Sequence, residues 1–106
     1  MKYTEVMKYC LSFPDAEREL LSPAGNAFAL TVGSRAFGYF ETGAPIQWRF
    51  SVRVSEQQFH ELPNPPQVRQ ARDKPEDHWI TIARVENFDG EFLKELIEGS
   101  YQRALQ

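Results

Sequence analysis

Only one cysteine, Cys10, occurs in this chain of 106 residues, which leaves no route to an internal disulfide or to a cysteine-based zinc cage. Histidine is nearly as scarce. His60 and His78 are not at the i, i+4 spacing of a helical metal pair, and no metal or other cofactor is expected. No run approaches the ~20 apolar residues that a membrane span requires. The opening stretch "MKYTEVMKYC" is broken by Lys2, Glu5 and Lys8, unlike the apolar core of a signal peptide, so a soluble cytoplasmic protein is expected. A cationic excess is missing too: the formal net charge is −3, which argues against tight unspecific binding of nucleic acid. It does not exclude a local basic face, because binding follows the distribution of charge as well as its sum.

Catalytic signatures are equally thin. There is no G-x-S-x-G elbow, and "VGSRAFG" lacks the Gly-Lys-Ser/Thr ending of a phosphate loop. Cys10 falls on an apolar helical stripe, where a buried inert thiol is expected rather than a nucleophile. Glu56, Glu61, Glu91, Glu95 and Glu98 read as solvent faces of helices. No enzyme is expected.

What is present is an ordinary globular composition, 42% hydrophobic and 25% charged, with two Trp, four Tyr and eight Phe to fill one core. A single domain over residues 1–106 follows, since two would each be too small for a dependable interior. Tyr3, Val6, Met7, Cys10 and Leu11 make the stripe of an amphipathic helix that Pro14 ends. "PDAERELLSPAGN" reads as a connector with room for a short helical turn. Three strands follow: "AFALTV", then "RAFGYFET" after a two-residue turn at Gly33-Ser34, then "IQWRFSVRV" beyond the breakers Gly43 and Pro45. In the third, Ile46, Trp48, Phe50, Val52 and Val54 alternate with Gln47, Arg49, Ser51 and Arg53, as in a half-buried antiparallel strand.

A second helix is announced by Ser55 and Gln58 at capping-box spacing, with Val54 and Phe59 placed as a hydrophobic staple; "PNPP" at 63–66 stops it. "QVRQARDK" is a weak strand suited to a sheet edge, and "HWITIARV" is the last strand. Asp89 caps a final helix with Leu93, Leu96, Ile97, Ser100 and Ala104 on one face. The expected architecture is α+β, a two-layer sandwich of an antiparallel five-stranded sheet with three helices on one face, in the order α-β-β-β-α-β-β-α. The other sheet face would be open.

Several of these strings, "HWITIARV", "LKELIEGSY", "YCLSFPDAE", "FSVRVSEQQ" and "TVGSRAFGYF", together span most of the chain, and they resemble the YjbR-like (MmcQ/YjbR-like) family. His78, Trp79, Ser100 and Tyr101 mark the resemblance most clearly. It implies a two-layer fold similar to that of type III secretion chaperones, and many family members carry the label of DNA-binding protein. Members often have an Asn-Lys pair ahead of His-Trp. Here "RQARDKPED" is more acidic, with Lys74 standing where that lysine would fall.

Two readings of the open face stay side by side. In one, Arg49, Arg53, Arg69, Arg72, Lys74 and Arg84 contact phosphates and Trp79 stacks on bases, with Arg35 and Tyr39 nearby. In the other these are solvated arginines paired with Glu41 or Asp73, and Trp79 packs where its strand meets a helix. Two functions follow: a DNA-binding or regulatory accessory protein, or a protein-interaction module or homodimer without nucleic acid.

Overall fold

The computed structural model of the chain describes residues 1–43, 48–64 and 67–106. Helix α1 (Tyr3–Leu11) buries Val6 and Cys10, and the Glu5 carboxylate accepts the Lys2 N–H at 2.9 Å to close its first turn. Asp15, at a φ of 60°, then reverses the chain. The following strand β1 (Ala16–Leu20) was not expected: the stretch read as a connector is a sixth strand. It escapes detection because four of its five residues are exposed, so an edge strand wet on both faces shows no apolar alternation.

Strands β2 (Ala27–Val32) and β3 (Arg35–Glu41) form the hairpin placed at Gly33-Ser34, with Gly33 at a φ of 63°. Strand β4 (Arg49–Arg53) is the described part of the third expected strand; Pro45, Ile46 and Gln47 lie outside the described residues. Helix α2 (Glu56–Glu61) begins as expected, the Ser55 hydroxyl accepting the Gln58 N–H and the Gln58 side chain accepting the Ser55 N–H at 3.1 Å. Its far boundary includes Pro65 and Pro66, again outside the described residues. Strands β5 (Val68–Ala71) and β6 (Trp79–Ile82), a short 3-10 turn (Val85–Asn87) and helix α3 (Gly90–Leu105) complete the chain.

The fold is α+β, with one antiparallel sheet in the order β1-β2-β3-β4-β6-β5 and three helices. The chain leaves β4, passes through α2 to the edge as β5, and returns as β6 between β4 and β5. Leu30, Phe40, Phe50, Val52, Ile80 and Ile82 fill the inner face under Leu93, Leu96 and Ile97 of α3. Phe50 leans across Gly38, where a β-carbon would lie 3.0 Å from its ring, so this position accepts no side chain without displacement.

Ser100 and Tyr101 fasten α3 to the rest. Leu30 pairs with Gly38 and Thr31 with Ala36, which leaves Phe37 as the extra residue of a bulge. The buried Ser100 hydroxyl donates to the Phe37 carbonyl at 2.6 Å and accepts the Arg53 N–H at 3.0 Å, satisfying both groups where the β3–β4 ladder stops. Tyr101 donates its hydroxyl to the Pro14 carbonyl at 2.7 Å and stacks on Phe13 at 4.6 Å. These two residues therefore bind helix to sheet and hold the α1–β1 turn.

Candidate anion-binding site on the sheet face

Register brings one row of residues across the outer face: Arg69, Thr81, Ser51, Tyr39, Ala29 and Glu19, from β5 at one edge to β1 at the other. Beside it lie the pairs Arg53–Trp79 and Ala71–Trp79, and on the other flank Glu41–Arg49. The sequence places Arg49, Ser51 and Arg53 on this face by alternation. Their neighbours on β5 and β6 follow only from the insertion of β6.

The face is not open. Residues 72–78, between β5 and β6, fold back over it as a strap. Lys74 crosses β4 to pair with the Glu41 carboxylate on β3, and its ammonium sits 4.8 Å over the Tyr39 ring. Only 9% of the Lys74 side chain is exposed, so this cation is committed to the fold. Trp79 lies beneath, 5.0 Å from Tyr39 and fully buried, and its indole N–H has no hydrogen-bond partner. The expectation that Trp79 stacks on bases is thereby corrected: a ring sealed under a strap presents no face to a ligand. His78 turns the chain out of the strap into β6 at a φ of 71°, its carbonyl accepting the Val54 N–H at 2.8 Å. The pair is a hinge and a buried anchor.

One side of the strap holds a cavity of about 530 Å³, lined by Arg49, Arg69, Arg72 and Lys74 together with Glu41 and Asp73. Ser51 and Thr81, their hydroxyl oxygens 2.8 Å apart, also line it. Arg49 and Arg69 have no carboxylate partner among the described residues. Arg72 donates to the Gln70 side-chain oxygen at 2.9 Å and lies 5.3 Å over the Phe59 ring. Two other expected members fall elsewhere. Arg53 donates to the Asp77 carbonyl at 3.3 Å, and Arg84 is exposed at the start of the 3-10 turn; neither lines the cavity. Arg35 bonds the Gln106 carbonyl on another part of the surface.

Among the described residues, the pairing of these cations with Glu41 or Asp73 is realised for Lys74 alone. Three arginines around hydroxyl donors form an electropositive hollow suited to an anion, and guanidinium forks match phosphate and carboxylate oxygens.

Solved structures include close likenesses of this fold. The crystal structure of Deinococcus radiodurans protein DR2400, whose domain is DUF419, the YjbR/MmcQ-like family, superposes with a TM-score of 0.80 at 20% identity, covering 99% of this chain and 79% of that one. A Pseudomonas syringae protein of known crystal structure matches with a TM-score of 0.80 at 14% identity, covering 98% of this chain and 99% of that one. The chain shares their fold. No family model and no curated protein matches the sequence.

A second cavity, of about 350 Å³, adjoins the first across Ala71, Arg72 and Lys74. Both His60 and His78, which the sequence shows only as lone residues in different elements, line it, their rings 5.3 and 5.5 Å from that of Phe59. Among the described residues no three His, Cys, Asp or Glu side chains are grouped to hold a metal, and no helix is long and apolar enough to cross a membrane. Cys10 is fully buried and its thiol is pushed up to about 12 by burial, which leaves it unreactive in the fold.

Proposed function

We propose that this chain is a small cytoplasmic accessory protein that binds nucleic acid by its phosphates, through Arg49, Arg69 and Arg72 in the sheet-face cavity. One observation carries the reading: three arginines without a carboxylate partner among the described residues converge on one hollow, in a chain whose net charge is −3. Acidic groups elsewhere keep unspecific association low, and the hollow supplies a local attraction. No chemical step is involved.

Fluorescence anisotropy of labelled nucleic acid across a salt series tests it. Three phosphate contacts give a log–log slope of roughly −2 to −3, and Arg69→Ala should reduce the steepness by about one contact's share. Arg84→Ala, outside the cavity, should leave the slope nearly unchanged. Absence of binding at low salt, or equal losses in both variants, would refute the site.

A second reading is favoured by β1, which is exposed along most of its length and ends in Leu20, followed by Leu21, the two exposed by 54% and 47%. Such an edge can add a strand from a partner or from a second copy. Light scattering decides the homodimer: a monomer at every concentration would remove that version.

A further inference from the structure

We infer that the cavity takes one nucleotide-sized unit, a nucleoside phosphate or a nucleotide of a single strand, and does not take duplex. The inference rests on the phosphate-binding reading above. Its size is the first argument: about 530 Å³ lies within the roughly 300–1,000 Å³ of small-ligand sites. Duplex readers work differently, sending a helix or ribbon into a major groove about 12 Å wide and burying on the order of 1,000 Å² or more. Here the arginines are exposed side chains around a hollow of small-ligand volume, with no helix or ribbon raised among them for a groove to receive.

What stands beside them is the strap, and its outward groups have the wrong sign for a duplex. The Asp73 side chain is 76% exposed and Asp77 is exposed as well, so a second phosphate backbone laid across this face meets carboxylates. A single phosphate in the hollow has Arg49 and Arg69 in its lining.

The second argument is the wall between the two cavities. Arg72 belongs to both, and its guanidinium carbon lies over the Phe59 ring, 5.3 Å from the centroid. A planar guanidinium backed by a ring is a surface on which a base stacks, and single-stranded recognition uses such platforms beside a phosphate contact. His60 and His78 line the adjoining space and offer ring faces and hydrogen-bonding nitrogens to the base edge. Phosphate among Arg49, Arg69 and the charge of Arg72, base against the plane of the Arg72 guanidinium: one nucleotide spans the two cavities.

The experiment uses a short labelled single strand, the same strand annealed to its complement, and unlabelled nucleoside 5′-monophosphate and inorganic phosphate as competitors. The single strand should bind at least about fivefold tighter than the duplex, the low end of one stacked base. The monophosphate should compete better than phosphate alone. Arg72→Lys, which keeps the charge but loses the planar stack, should abolish the preference for single strand while leaving the salt slope in place; circular dichroism confirms that the variant is folded. If the strand binds no more tightly than the mononucleotide, free nucleotide is the ligand and the inference stands. Duplex binding equal to or tighter than single strand, weakened by Arg69→Ala, would overturn the inference and leave the phosphate reading intact. Phosphate competing as well as the monophosphate would overturn the base contact. If no nucleic acid or nucleotide binds, both readings fall together.

Discussion

Ser100→Ala removes one oxygen and little volume, which makes it a clean probe of how α3 is held to the sheet. In the native fold that oxygen donates to the Phe37 carbonyl and accepts the Arg53 N–H, at 2.6 and 3.0 Å. Phe37 is fully buried, and Ser100 itself is 1% exposed, so water does not reach the carbonyl that alanine leaves behind. Each buried group left without a partner costs about 1–3 kcal/mol. Arg53 is only half-buried, and its amide can recover part of that through water. The sum is about 2–4 kcal/mol, a large share of the roughly 5–15 kcal/mol total of a small domain. With a urea m-value of about 2 kcal/mol/M, the midpoint should fall by about 1–2 M with m unchanged. Amide exchange supplies an independent readout: the Arg53 N–H should lose protection beyond what global destabilisation explains. A midpoint shift below about 0.3 M would refute the claim that this hydroxyl satisfies both strands.

Three further outcomes follow from the structure. Lys74→Ala removes the pin between strap and sheet; with Glu41 44% exposed, the ion pair and the Tyr39 contact together are worth about 1–2 kcal/mol, and in a Trp48→Phe background acrylamide should quench Trp79 far more strongly than in the parent. Unchanged quenching would mean that other contacts hold the strap. Cys10 has its thiol raised from about 9 to about 12, so the fold gains stability from it below the unfolded value and loses that stability as pH rises through this interval; urea midpoints should fall in that range, and Cys10→Ala should flatten the fall. At neutral pH, a thiol reagent should label Cys10 only as fast as the chain unfolds; immediate labelling would contradict its burial.

Most of the fold was legible because most elements bury one face and carry the matching period. β4 alternates strictly, α2 has its capping box, and α3 repeats apolar residues along one side. β1 was illegible for the same reason: with "AEREL" wet on both faces, nothing in it demands an apolar partner, and its strand identity comes from pairing with β2. The site was legible in part. Arg49, Arg69, Arg72 and Lys74 were named from alternation and composition, and they do line one hollow. Arg53 and Arg84 were grouped with them because periodicity says which way a residue points but not what stands above it. Trp79 shows the same limit: its position on the outer face suggests exposure, and only the path of the strap reveals that it is sealed. His60 and His78 come to line one cavity by tertiary packing alone, with no signal in their spacing.

The path of that strap also explains how an acidic chain carries a cationic hollow. A row that runs from Glu19 to Arg69 across the sheet has carboxylate at one edge and guanidinium at the other, and a net charge says nothing about this gradient. The strap fixes the division by laying Pro75 and Glu76 over the β1–β3 half and turning Asp73 to solvent, while Lys74 takes up Glu41. Glu41 lines the same hollow as Arg49, its pairing partner on β4, and is the carboxylate best placed to neutralise that arginine. Lys74 takes up Glu41, and Arg49 has no carboxylate partner among the described residues. The most buried of these cations thus offsets the carboxylate beside Arg49, and on the proposed reading it shapes the hollow from within the fold.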